Sequence, residues 1–183
     1  MFDPTIFDNL KTVIEGEVYD RDLDGKILVT NRSDMMDLAT MSRSFVLEFR
    51  RQDIEVTAVT MSLHADLINL SSEILERLEE EPGCDLKILY VLNVVDPHAD
   101  AVELIRILNS LWEGRPSISA SVRFEVDSLG DVIEDELGNP YELTLMLTFD
   151  RKIDERQLGD LDELLNVVID GLDACNEYSA STE

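Results

Sequence analysis

The sequence predicts an α/β domain, with α+β as the alternative: a mixed sheet of about six strands with helices packed on it. Three observations lead there. Residues 54–62, 117–127 and 141–149 alternate apolar with polar side chains, the period of a half-buried strand. Other stretches repeat apolar residues every three or four positions, the period of a helix lying on a core. Finally, Ser62-Leu63-His64-Ala65-Asp66 and Asp96-Pro97-His98-Ala99-Asp100 repeat a strand, His-Ala-Asp, helix pattern at a constant offset of 34 residues.

In chain order, Asp3-Pro4 suits a helix start, with Asp as N-cap and Pro in the first turn. Ile6, Leu10, Val13 and Ile14 continue it, and Gly16 is expected to close it. Val18-Tyr19 and residues 27–30 flank Asp24-Gly25, a short-hairpin signal. Ser33 or Asp34 can cap a second helix with Met35, Leu38, Met41, Phe45 and Phe49 on one face, although residues 44–49 equally fit a strand. Residues 54–62 follow as a strand. Residues 66–81 read as a helix burying Leu67, Leu70, Ile74 and Leu78, stopped by Pro82-Gly83. Residues 86–95 are apolar almost throughout, as in a strand covered on both faces. Asp96-Pro97 opens a helix with Val102, Ile105 and Leu108 inward and Trp112 near its end.

Two strands, 117–127 and 141–149, enclose an acidic connection whose Gly138-Asn139-Pro140 marks a turn. Asp154-Glu155-Arg156-Gln157 has capping-box spacing. It opens a last helix with Leu158, Leu161, Leu165, Val168, Leu172 and Cys175 on one stripe. That stripe reads as core, with a homodimer seam as the lesser option. Residues 1–178 are expected to form one acidic domain and 179–183 a C-terminal tail.

The repeat carries a site expectation. A β-α-β-α order usually places its strands parallel through right-handed crossovers. Both His-Ala-Asp turns would then share the C-terminal edge, where open α/β sheets hold ligands. His64, Asp66, Asp96, His98 and Asp100 could converge there around a transition metal. The competing reading is helix-start chemistry, with Ser62 and Asp96 as N-caps and Asp66 and Asp100 complementing helix dipoles. A second cation site is expected at Asp20, Asp22 and Asp24. Asp20-Arg21-Asp22-Leu23-Asp24-Gly25-Lys26-Ile27 matches the first eight positions of a calcium loop. Asn31 stands where the bidentate Glu belongs, and an Asp-Gly turn accounts for the same residues.

Charge narrows the partners. Forty Asp and Glu face fifteen Lys and Arg, a net charge of −25 over 183 residues. Nucleic acid and anionic membranes require a basic footprint, so direct binding to either is not expected. A basic protein partner is. The last third, from Ala120 onward, holds seventeen acids and four bases, net −13. Its Asp131, Glu134, Asp135 and Glu136, with Asp160, Asp162 and Glu163, are the candidate contacts. A solvated acidic face, or adaptation to high salt, explains the same residues without a partner.

The longest apolar run falls far short of the ~20 residues of a membrane span. The N-terminus lacks a basic segment before an apolar run, so a cytoplasmic location is expected. Cys84 and Cys175 have no C-x-x-C spacing. No phosphate-binding glycine loop, dinucleotide fingerprint, nucleophile elbow or H-E-x-x-H motif occurs. No cofactor is expected beyond the alternative of a divalent cation. The chain reads as a binding or regulatory module rather than an enzyme, the alternative being a divalent-cation-binding protein whose site could be structural or catalytic, as in a metal-dependent enzyme.

Overall fold

Alternation decides this fold. In the computed structural model, which describes residues 6–75, 82–135 and 138–182, β2, β3, β4 and β6 each bury one set of alternate residues, while the edge strands β1 and β5 are mostly exposed. The elements run α1 (Ile6–Leu23), β1 (Ile27–Asp37), β2 (Ser42–Arg51), β3 (Thr57–Ala65), α2 (Leu67–Leu75), β4 (Asp85–Val94), α3 (Pro97–Leu111), β5 (Ser117–Arg123), β6 (Tyr141–Thr148), a 3-10 turn (Glu155–Asp160) and α4 (Leu161–Thr182). The six strands form one sheet in the order β1-β2-β3-β4-β6-β5. Phe45, Leu47 and Phe49 of β2, Val59, Met61 and Leu63 of β3, Ile88, Tyr90 and Leu92 of β4, and Leu143, Leu145 and Leu147 of β6 supply the buried face. Helices α1, α3 and α4 pack on it, and α4 touches α1, α3, β3 and β4.

The expected six-stranded sheet with packed helices is present, but every hydrogen-bonded pair is antiparallel. The parallel β3–β4 neighbours read from the His-Ala-Asp repeat are therefore wrong: His64 pairs in register with Asp85, at the start of β4. The reason lies in the second face of β3. Ala58, Thr60, Ser62 and His64 stay half exposed there. A parallel sheet is covered on both faces, whereas an antiparallel one can leave a face to water.

Two local readings are also corrected. Helix α1 passes through Gly16 and ends instead at Gly25, whose φ is +72°. The Gly25 N–H donates to the Asp22 carbonyl (2.9 Å) and the Lys26 N–H to the Arg21 carbonyl (3.0 Å). That paired closure satisfies the last helical carbonyls and needs a left-handed residue, so Asp24-Gly25 stops a helix rather than turning a hairpin. The proposed Asp3-Pro4 start lies outside the described residues. The second expected helix is the β1–β2 hairpin. Phe45, Leu47 and Phe49 bury at period two, while Met35, Leu38 and Met41 remain exposed.

The other differences are shifts of face. Helix α3 buries Asp100, Leu104 and Leu108 and leaves Val102 out. Leu67 of α2 is exposed where Asn69 and Ser72 are buried; the side chains of Leu70, Ile74 and Leu78 fall outside the described set. The capping box holds: Asp154 accepts from the Arg156 N–H, and Gln157 returns a bond to the Asp154 N–H at 2.9 Å. Helix α4 buries Leu161, Leu165, Val168, Leu172 and Cys175 of the predicted stripe, while Leu158 lies partly buried in the 3-10 turn before it; α4 continues to Thr182, through the expected tail. Among the described residues, no helix is long and apolar enough to cross a membrane.

Candidate interaction surface

The antiparallel sheet separates the residues expected to share a metal. His64 ends β3 beside the start of β4, whereas Asp96, His98 and Asp100 follow the far end of β4. Each has a local role. His64 Nδ1 lies 3.1 Å from the Ser44 hydroxyl on the uncovered face. Asp66 accepts from the N–H and side-chain amide of Asn69, both at 2.8 Å. Asp96 caps α3 by accepting from the N–H groups of His98 and Ala99. Asp100 is 5% exposed; it accepts from the Asp96 N–H and from the Tyr178 hydroxyl at 2.7 Å, tying α3 to α4. His98 is exposed.

The Asp20–Asp24 loop is equally changed. Asp20 and Asp22 belong to the last turn of α1, so their carboxylates do not wrap a common centre. Asp22 accepts from the Val29 N–H (3.2 Å), and Asp24 pairs with Lys26 (3.0 Å). Among the described residues, no group of three or more His, Cys, Asp or Glu is arranged to hold a metal ion.

The acidic residues of the last third fall into two places. Asp131, Glu134 and Asp135 belong to an arm between β5 and β6, closed by the Val126–Val132 bridge and Gly138. Asp135 is committed within it, accepting from Asn93 (2.9 Å) and from the backbone (2.8 Å) and side chain of Asn139. Glu136 lies outside the described residues. Asp160, Asp162 and Glu163 sit at the opposite end of β6, around the start of α4. There the guanidinium of Arg21 pairs with Asp162 and holds its carboxyl below the usual carboxylate range.

Among the described residues, Asp160 and Glu163 have no such internal partner: both are exposed and line an open groove of about 850 Å³. Its floor is Leu86, Trp112, Ile153 and Leu161, with Leu111, Phe149, Leu164 and Val167 on the walls. Trp112 and Phe149 meet edge-to-face at 5.7 Å. Glu113, Asp150, Arg115 and Arg151 complete the rim, which therefore holds four acids and two bases. This combination of an apolar, aromatic floor and a charged rim is how protein-binding pockets are built. Sequence reasoning reached Asp160 and Glu163 by charge but missed the floor. Its signal was present: Leu164 and Val167 widen the α4 stripe beyond the face needed for Leu161, Leu165 and Val168. No protein-family model, curated protein or solved structure matches this chain.

Proposed function

We propose that this chain is a non-enzymatic interaction module of the cytoplasm that binds a basic protein partner through its acidic C-terminal third. The observation carrying this reading is the juxtaposition of Asp160 and Glu163 with the Trp112–Phe149 groove. Charge alone gives encounter rate and loose attraction; an apolar pocket beside it gives a place to anchor. A segment with Leu or Phe flanked by Arg or Lys satisfies both, its apolar side chains on the floor and its cations against the rim.

Trp112 is the only tryptophan and reports directly on the groove. Titration with a synthetic amphipathic Arg/Leu peptide should shift its emission. The shift should weaken as salt rises and disappear when Asp160 and Glu163 are neutralised to Asn and Gln. An Asp131→Asn, Glu134→Gln variant, altered only in the arm, should bind normally. Binding that survives loss of Asp160 and Glu163, or no binding to any basic amphipathic sequence, would remove the proposal.

A further inference from the structure

The two edges of the sheet are built differently. Strand β1, at one edge, is broken by a bulge at Thr30 and carries Arg32, Asp34 and Asp37. Bulges and charges are how sheets prevent their edges from pairing with another chain. Strand β5, at the other edge, has no bulge, and its one charge, Arg123, stands at its last position. Its seven residues, Ser117-Ile118-Ser119-Ala120-Ser121-Val122-Arg123, contain no proline, lysine or acid. They keep unbroken register with β6 from Ser117–Thr148 to Arg123–Glu142. Among the described residues no strand pairs with the outer side of β5, and all its residues but Ile118 are exposed.

We propose that the β5 edge pairs antiparallel with the β5 edge of a second copy, on a two-fold axis through Ala120, giving a continuous twelve-stranded sheet. The register follows from the sequence. Ala120 would face its own counterpart, Ile118 would face Val122, Ser119 would face Ser121, and Ser117 would face Arg123. Such a contact is self-complementary, as an isologous interface must be. Ile118, Ala120 and Val122 lie on the helix-bearing side, opposite Leu147, Leu145 and Leu143 of β6. Pairing would therefore extend the apolar layer and cover Val122, which is 46% exposed.

Electrostatics selects a second copy as the occupant. Two molecules of charge −25 repel over most of their surfaces. Residues 101–123, comprising most of α3 and all of β5, hold two acids and three bases, net +1. Helix α3 packs over β5, so this near-neutral stretch forms one surface on which copies meet with less repulsion than elsewhere on the chain.

Sedimentation velocity on the full chain should give twice the 20.7 kDa chain mass. Ala120→Glu, which sets two carboxylates against each other at the axis, should give a monomer with an unchanged circular dichroism spectrum. Register is read by cysteines under mild copper-phenanthroline oxidation. Ala120→Cys should cross-link into dimers, because directly opposed Cβ atoms lie about 5 Å apart. Ser117→Cys should not, because its two copies would be about 20 Å apart at ~3.4 Å per residue. A monomeric parent chain, a dimer indifferent to Ala120→Glu, or equal cross-linking at both positions would overturn the proposal.

Discussion

The Tyr90 hydroxyl lies so close over Gly171 that a methyl group there would stand 2.4 Å from its oxygen and 2.8 Å from its Cζ. Glycine in mid-helix weakens α4 by about 1 kcal/mol relative to alanine. Here its missing side chain lets Tyr90, fully buried, donate to the Val168 carbonyl at 3.0 Å. Gly171→Ala should therefore destabilise the fold by about 1–3 kcal/mol, the usual cost of overpacking. Tyr90→Phe alone should cost about 1 kcal/mol for the lost hydrogen bond. Urea denaturation of the double variant should show a loss smaller than the sum, because removing the hydroxyl removes the nearest clash. Additive losses would mean that Gly171 is not there for Tyr90.

Acid should act first through the ion pairs joining helices to one another and to the sheet. Arg43 donates to both oxygens of Asp8 at 2.9 Å, and this holds the Asp8 carboxyl below its usual range. Arg21 of α1 likewise lowers Asp162 of α4 through one carboxylate oxygen, and Arg156 lowers Asp154 at the start of the 3-10 turn that precedes α4. A carboxyl with a lowered folded-state value stabilises the fold fully above the unfolded value of about 4, and that contribution fades as pH falls through the lower value. Melting temperature should thus hold from pH 7 to about 5 and fall below about 4. Asp8→Asn should start lower and lose less on acidification. Curves that run parallel would show that the Asp8–Arg43 pair contributes nothing.

Salt separates repulsion from pairing. At net −25, unpaired carboxylates such as Asp160 and Glu163 repel across the surface over a screening length of about 30 Å in 10 mM salt and about 8 Å in 150 mM. Melting temperature should rise with NaCl over this range and then level off. A chain adapted to high salt would instead keep gaining stability into the molar range. A fall with added salt would mean that the arginine pairs outweigh the repulsion.

Legibility in the sequence followed the range of the interaction. Period-two alternation found β3 and β6, and 3–4 spacing found α4, because burial of one face writes itself locally. Alternation also found β5, as residues 117–123 of the expected 117–127, although that edge strand buries neither face. The capping box at Asp154 and the cap at Asp96 were legible for the same reason. Strand direction was not. The His64 and His98 repeat is real as sequence, but each copy records only helix-start chemistry, and pairing is set by contacts far along the chain. Spacing also misled at residues 33–49, where Met35, Leu38 and Met41 mimic a helical stripe that the exposed β1–β2 hairpin never buries. The groove needed three separated segments, Trp112, Phe149 and Leu164, and no single one of them signals it.

The two thiols should be silent until the fold opens. Cys175 is fully buried, and burial pushes its thiol up to about 12. At pH 8 that leaves about one thiolate in ten thousand, and the thiolate is the nucleophile. Cys84 is also buried, and its backbone is locked to Ile153 by bonds of 2.8 and 2.9 Å. The native chain should therefore release no thionitrobenzoate from Ellman's reagent at pH 8, while two equivalents should appear in guanidinium. In a Cys84→Ser variant the slow residual reaction of Cys175 should follow global stability, so Gly171→Ala should accelerate it by roughly the factor its measured loss of stability implies, tenfold per 1.4 kcal/mol. Prompt reaction of either thiol in the native chain would contradict this burial.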